Sequence, residues 1–304
     1  MEAIFSVLPV YFFILLGFIA KKVFTNQLDE RTLVLLSLYF FQPVLIFWGL
    51  TKRPIDYEFI VSPILYFLIM LVSLGVLILI NKKIFSQRQD QSIYLATALV
   101  GNTGNLGIPL GIALFGMDSV PYTSIINIAN TFFIYIFAVY FFARDNFSLK
   151  EAIISIMKIP GIWFAILALL INSQGVGINK HVYSALEMGA YTSMVIQLII
   201  FGMYLSSVKV KILPWYSSLH ISFVKHILLP AIGILIIVNF TNLNSYVASI
   251  LIMELMVPLA VNNVNLAALY HCKPYDVAAS ILISSVVFVS LLYFYIQIIE
   301  YFVK

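Results

Sequence analysis

Hydrophobic positions along the chain come in long stretches, and polar residues crowd into short intervals between them. Stretches free of Asp, Glu, Lys and Arg fall at 3–20, 32–51, 59–81, 91–117, 119–143, 159–179 and 188–208. A shorter one follows Lys225 at 226–243; the next, 244–272, holds one acid, Glu254; the last is 277–299. A bilayer core about 30 Å thick needs about 20 apolar residues per helix. The pattern therefore predicts ten transmembrane helices, numbered here as spans 1 to 10. The stretches are apolar throughout and lack the alternation that a membrane β-strand shows over about 10 residues. The predicted fold class is an all-α polytopic membrane protein. Span 1 has no Lys or Arg ahead of its apolar run and ends at Lys21 and Lys22, so it reads as a retained helix and not a cleaved signal.

Composition narrows the classes further. Of 304 residues, 62% are hydrophobic and 10% charged, and mean hydropathy is +1.03, whereas a soluble domain carries roughly 25% charge. That excludes an ordinary cytosolic enzyme, a disordered chain and a disulfide scaffold. The net charge of +4 comes from basic residues scattered between apolar runs, with no patch suited to nucleic acid. A single cysteine, Cys272, leaves no internal disulfide and no Cys-based metal site. The four His have no metal-ligand spacing, and no Ser/His/Asp or Cys/His set converges. No catalytic residue, metal or cofactor is predicted, and the chain does not read as an enzyme.

Lys and Arg set the orientation. Lys21, Lys22, Arg31, Lys82, Lys83, Arg88, Arg144, Lys150, Lys158, Lys209, Lys211 and Lys273 lie on one side, with Lys225 counted at the entry to span 8 as a thirteenth. Lys52, Arg53, Lys180 and Lys304 lie on the other. Loops 1–2, 3–4, 5–6, 7–8 and 9–10 are thus expected in the cytoplasm, with both termini outside.

Proline spacing points to a repeat. Pro9 and Pro160 are 151 apart, Pro63 and Pro214 also 151, Pro109 and Pro258 149, and Pro121 and Pro274 153, in a chain whose half-length is 152. Coincidence is the competing explanation. A repeat divides the ten spans into five plus five, and an odd number makes the second unit inverted, as in many secondary transporters. The units are 1–143 and 159–304, joined by a cytoplasmic linker at 144–158.

Two spans are poor continuous helices at corresponding places. Span 4 reads Gly101-Asn102-Thr103-Gly104-Asn105-Leu106-Gly107-Ile108-Pro109-Leu110-Gly111, and Pro109 deprives the Asn105 carbonyl of its partner. In span 9, Pro258 likewise frees the carbonyl of Glu254, and Asn262, Asn263 and Asn265 follow. Non-helical backbone at membrane depth is tolerated only where protein or a water-filled cavity satisfies it. A matched pair of such breaks points to a transporter binding site. Half-helix N-termini there offer free N–H groups to an anion. The competing reading is helix packing, since Gly107 and Gly111 form a small-xxx-small contact.

At these residues the sequence resembles the auxin efflux carrier family. The likeness lies in Gly101-Asn102 through Gly107-Ile108-Pro109-Leu110, in Pro258-Leu259-Ala260 with Asn263, and in Ala267-Ala268-Leu269-Tyr270. It continues in Asp276-Val277-Ala278-Ala279-Ser280, Ser284-Ser285 and Tyr39-Phe40-Phe41-Gln42-Pro43 of span 2, where the family usually has an apolar residue in place of Gln42. The resemblance implies a bile acid/sodium symporter-like fold in which spans 4 and 9 cross at their breaks. It implies a scaffold of spans 1, 2, 6 and 7, a transport domain of spans 3–5 and 8–10, an elevator-type motion and a homodimer. It also implies a plasma-membrane carrier, in the inner membrane if bacterial, that moves small organic anions such as carboxylates through the lipid bilayer. A ligand-binding sensor on the same fold, without transport, is the alternative.

The candidate substrate-binding residues are Asn102, Asn105, Pro109, Asn127, Asn130, Pro258, Asn262 and Asn263. Amides can donate to a carboxylate without the desolvation penalty of a buried cation. The competing roles are capping of the broken ends for the asparagines of spans 4 and 9, and interhelical hydrogen bonding for Asn127 and Asn130. Gln42 and Gln197 face either the same cavity or a dimer seam. Glu254 is the candidate for proton or sodium coupling, because an intramembrane carboxylate is functional by default; Lys225 and His226 are its candidate partners, and a structural ion pair or a carboxyl buried in its protonated form is the competing reading. Lys225 has the alternative of snorkelling to the cytoplasmic surface. Asn102→Ala and Asn263→Ala are each expected to abolish anion flux in proteoliposomes while folding is unchanged; normal flux in both variants would remove the assignment.

Overall fold

The computed structural model describes residues 2–25, 27–143, 148–208 and 213–303. Arg144, Lys209, Lys211 and Lys304 of the charge count, and the start of the 144–158 linker, lie outside the described residues. All regular structure among the described residues is helical. In chain order the helices are α1 (Glu2–Val23), α2 (Glu30–Leu36), α3 (Gln42–Leu50), α4 (Tyr57–Ile84), α5 (Arg88–Thr97), α6 (Ile108–Phe115), α7 (Val120–Phe133) and α8 (Val139–Ala143). There follow α9 (Leu149–Met157), α10 (Pro160–Ser173), α11 (Lys180–Ser207), α12 (Trp215–Phe223), α13 (Leu229–Phe240), α14 (Ser245–Met256), α15 (Asn262–Leu269) and α16 (Pro274–Val303).

Seven helical segments are long and apolar enough to cross a membrane: Phe5–Val23, Glu30–Leu50, Tyr57–Ile84, Met117–Ala143, Lys180–Ser207, Trp215–Phe240 and Pro274–Tyr301. A bent pair, Lys150–Met157 and Pro160–Ser173 at 67°, has the same character, and two shorter apolar helices are Thr103–Phe115 and Ser245–Met256. Three of the long segments run through a single π-helical turn, at Ser37–Phe41, Ile134–Ala138 and Val224–Leu228.

Local chemistry sets the ends. Asp56 accepts the Phe59 N–H at 2.7 Å and Asn244 accepts the Val247 N–H at 2.9 Å, so each side chain caps a helix that starts beside it. Pro160 sits in the first turn of α10, where the missing N–H leaves no bond unmade, while Pro109 and Pro230 each closely follow a π-helical turn.

The helices group into two sets, which also touch each other where α1 meets α6 and α3 meets α7. α1 lies along α11, and α3 lies against α10 and α11. In the second set α4 packs on α7 and α13, α12 and α14 pack on α16, and α14 packs on α7. A small apolar cluster of Leu45, Trp48, Ile108, Val120, Ala190 and Met194 joins the sets. At the same end, Arg53 bonds Asp56 at 2.7 Å, Tyr122 donates to Asp56 at 3.0 Å, and Asn172 donates to the carbonyls of Leu50 and Arg53. The far end of the second set is tied by Lys273 and Asp90 at 2.5 Å.

One expectation is corrected here. Lys225 is not at the entry to span 8: the helix begins at Trp215, ten residues earlier, and Lys225 is 0% exposed at its middle. It neither snorkels nor belongs with the twelve other basic residues expected on that side from the sequence. A search for charge-free stretches ends at the first lysine, whereas a helix continues wherever its backbone bonds do.

α1 and α11 approach each other closely at two glycines. A side chain at Gly17 would overlap the Ile199 carbonyl, and one at Gly202 would overlap the Ile14 carbonyl. Gly202→Val is expected to destabilise the purified protein by about 1–3 kcal/mol or more, since backbone cannot yield as a side chain can. Gly75 has nothing within 4 Å, so Gly75→Ala is expected to be neutral or to stabilise by up to about 1 kcal/mol. Thermal melts in detergent read both.

Candidate functional site

Two interrupted helices meet inside the second set. α5 stops at Thr97, and helix resumes with a π-helical turn at Thr103–Gly107 that leads into α6. α14 stops at Met256, and α15 starts at Asn262. The two breaks lie side by side as an antiparallel bridge between Gly101 and Leu259. The Asn102 N–H donates to the Pro258 carbonyl at 2.8 Å and the Ala260 N–H to the Val100 carbonyl at 3.0 Å. The Leu259 N–H donates to Ser284 Oγ of α16 at 3.2 Å. Each break thus supplies the hydrogen bonds that the other lost.

The break in span 4 lies upstream of the place its proline marks. Pro109 sits in the first turn of α6, and the π-helical turn before it has its own long-range bonds, including Gly107 N–H to the Asn102 carbonyl at 3.0 Å. Pro258 sits inside its break, where its carbonyl accepts from Asn102.

α7 clamps the arrangement. Asn130 Nδ2 donates to the Gly101 carbonyl at 2.9 Å and to Thr103 Oγ1 at 3.0 Å, and Asn130 Oδ1 accepts from Tyr66 at 3.2 Å. Thr103 Oγ1 donates to Asn127 Oδ1 at 2.9 Å, and Thr131 donates to the Asn127 carbonyl at 2.9 Å. Beside this cluster is a cavity of about 150 Å³. Its polar wall is Gln42, Asn102, Thr103, Asn105, Asn127, Asn130, Thr131, Asn262 and Asn265, with Gly101, Gly104 and Tyr135. Its apolar wall comes from both sets: Val34, Leu38, Ile46, Ile159 and Ile162 from one, and Ile128, Ile134, Ala260 and Leu266 from the other. No charged side chain is on the wall among the described residues.

Three glycines of span 4 receive polar side chains from elsewhere. A Cβ on Gly101 would stand 2.6 Å from Lys225 Nζ, and one on Gly104 2.8 Å from Asn127 Oδ1. A Cβ on Gly107 would overlap the Glu254 carboxylate. Lys225 Nζ donates to the Leu99 carbonyl at 3.5 Å. Glu254 is 0% exposed, and neither of its oxygens has a hydrogen-bond partner.

The sequence-derived residues distribute as follows. Asn102, Asn105, Asn127, Asn130 and Asn262 line one cavity, and Asn102 Nδ2 is unpartnered there. Asn102 does not cap the helix that follows it. Pro109, Pro258, Asn263 and Glu254 are buried away from the wall; both amide atoms of Asn263 are unpartnered. Gln42 reaches the cavity, whereas Gln197 bonds Ser193 at 2.9 Å. His226 does not partner Glu254. Its Nε2 is 2.8 Å from Ser284 Oγ and its Nδ1 3.0 Å from the Tyr295 hydroxyl. Residues not singled out from sequence are Tyr66, Thr131, Tyr135 and Tyr295. Only Thr131 had a signal, four residues after Asn127 on the same face of a helix.

Removing the Asn130 amide strands the buried Gly101 carbonyl, so Asn130→Ala is expected to lower stability by about 1–3 kcal/mol. Tyr66→Phe removes one bond and is expected to lose about 1 kcal/mol; equal effects in detergent melts would contradict the clamp.

Among known protein families, one described as "Membrane transport protein" matches residues 2–296. No curated protein matches the chain.

Proposed function

The chain belongs to the auxin efflux carrier and membrane transport protein family, and from that premise we propose that it is a secondary transporter of small organic anions, chiefly short carboxylates, across a plasma membrane. The observation that carries this reading is the cavity: small, walled by amides and hydroxyls, and placed where two broken helices meet. Carboxamide N–H groups, such as the unpartnered Asn102 Nδ2, and the starts of the helical segments at Thr103 and Asn262 give donors for a carboxylate. A volume of about 150 Å³ lies below the roughly 300–1,000 Å³ of drug-sized pockets, which favours acids of a few carbons.

The chain in this reading has ten spans in two inverted five-helix units, 1–143 and 159–304, with the bent pair and the two broken spans completing the seven continuous ones. α1, α3, α10 and α11 are the scaffold, and α4 to α8 with α12 to α16 the moving part; the packing of α1 and α3 on α11 and of α4 on α7 supports it. A homodimer through the scaffold rests on the family resemblance. With Lys and Arg loops inside and both termini outside, the apolar cluster around Trp48 closes the seam on the external side. The cavity then faces the cytoplasm, and the moving part carries it across in an elevator-type step. Glu254, wholly buried beside the breaks, is the candidate for coupling to a proton or sodium ion. A negative interior drives an anion outward by about 2.3 kcal/mol per charge per 100 mV, so export needs no further energy source.

A counterflow screen in proteoliposomes tests the reading. Labelled malate or malonate is expected to exchange, indole acetate to exchange much more weakly, and Asn102→Ala to lose exchange with its melting temperature preserved. Equal exchange of the large and small acids, or full exchange in Asn102→Ala, would overturn it.

A further inference from the structure

The two sets of helices bring different chemistry to the cavity they share. The broken spans and α7 supply amides and hydroxyls, whereas the facing wall is Val34, Leu38, Ile46, Ile159 and Ile162, with one polar side chain among them, Gln42. Val34, Leu38, Gln42 and Ile46 recur every fourth residue. In a plain α-helix such a row drifts by about 40° per step and would leave Val34 and Ile46 about 120° apart. The π-helical turn at Ser37–Phe41 adds one residue and takes back about 100° of that drift. The row therefore keeps to one face, and Gln42 lines the cavity together with its apolar neighbours.

The polar groups of the cavity divide by the work they already do. Thr103 and Asn127 bond each other, Asn130 holds the Gly101 carbonyl and Thr103, Thr131 donates to the Asn127 carbonyl, and Asn265 accepts from Tyr204 at 3.1 Å. These bonds hold the protein together. The Gln42 carboxamide has no hydrogen-bond partner among the described residues, and Asn102 Nδ2 has none either. They belong to opposite sets, so a ligand that satisfies both spans the gap between the sets. A recess of about 20 Å³ adjoins the cavity and shares Gln42, Asn105 and Asn262 with it. That volume is room for about one water-sized group, and the other polar residues on its wall are Ser37 and Tyr204.

We propose that Gln42 is a specificity-determining residue of this transporter: its carboxamide, in an otherwise apolar row, hydrogen-bonds a second polar group on a short acid whose first carboxylate is held at the helix breaks. This rests on the anion-transport reading and names what the cavity selects, namely acids polar at both ends. An acid with an apolar tail leaves Gln42 and the recess unpaired, and a site built to bond a polar group rejects an analogue that lacks it. In the same reading Gln42 belongs to the scaffold and Asn102 to the moving part. The Gln42 bond is then made at loading and given up in the step across, so Gln42 acts on KM more than on kcat.

The test uses the full chain in proteoliposomes, with labelled malonate in counterflow and unlabelled acids as competitors. Wild type is expected to prefer malonate and 3-hydroxypropionate to butyrate by about tenfold or more, the worth of a hydrogen bond to a charged or polar group. Gln42→Leu keeps the size of the side chain and removes its polarity. It is expected to abolish that preference by raising KM for malonate, with kcat close to wild type and butyrate bound as well or better. Gln42→Glu sets a negative charge against the second carboxylate, and is expected to reject malonate while retaining 3-hydroxypropionate, whose hydroxyl can donate to it. A Gln42→Leu variant that still prefers malonate, one that loses all three acids alike, or wild-type malonate exchange in Gln42→Glu would each overturn the proposal. Thermal melts in detergent give a readout without flux: malonate is expected to raise the melting temperature of wild type and not of Gln42→Leu. If wild type exchanges no acid, the transport reading fails, and the melts still decide the role of Gln42, since equal shifts in both proteins or no shift in wild type would overturn it.

Discussion

Everything in the second set of helices depends on one constraint: backbone that leaves helical geometry inside a membrane must find its hydrogen bonds within the protein. The two breaks meet it reciprocally, through Asn102 to Pro258 and Ala260 to Val100. Where that exchange runs out, side chains complete it. Asn130 takes the Gly101 carbonyl, Ser284 takes the Leu259 N–H, and Lys225 takes the Leu99 carbonyl. The polar residues of this hydrophobic chain are therefore concentrated where backbone demand is highest, and the cavity is the space left among them.

The same constraint ties elements together. Leu259 hangs on Ser284 of α16, which is bonded in turn to His226 of the span 8 π-helical turn, whose ring reaches Tyr295, again on α16. α7 holds the other break through Asn130 and Thr103. The helices around the breaks are thus linked by hydrogen bonds in a low-dielectric interior, where such bonds are hard to break. Between the two sets lie the apolar cluster of Leu45, Trp48, Ile108, Val120, Ala190 and Met194 and a side-chain hydrogen bond from Tyr204 of α11 to Asn265 of α15 at 3.1 Å. Apolar surfaces can slide and re-pack without stranding a polar group.

Much of this was legible in the sequence, because a bilayer allows few solutions. Ten apolar stretches, the matched prolines and the asparagines beside them led to the breaks and to Asn102, Asn105, Asn127, Asn130 and Asn262 on one wall. The exact place of the span 4 break was not legible, since a π-helical turn absorbs Pro109 and moves the irregular backbone upstream. The depth of Lys225 was hidden because a buried lysine and a surface lysine look alike until the helix around them is known. Tyr66 and Tyr295 had no local signal at all: their partners lie 64 and 69 residues away. The glycines of span 4 resemble a packing stripe, and only the structure shows a different guest opposite Gly101, Gly104 and Gly107.

The π-helical turn at Val224–Leu228 has a rotational effect. One extra residue in a turn advances the helix by about 100°, so α12 and α13 present different faces although they form one continuous rod. That phase slip lets neighbours in sequence, Lys225 and His226, both point inward, one to span 4 and the other to α16. Deleting a single residue there would restore ordinary helix and rotate one half of the rod against the other. The charge behind Gly101 and the tether of Leu259 could not then both survive. A single codon thus sets the helical phase on which two distinct duties depend, and that gives this turn less freedom to vary than its length of five residues would indicate.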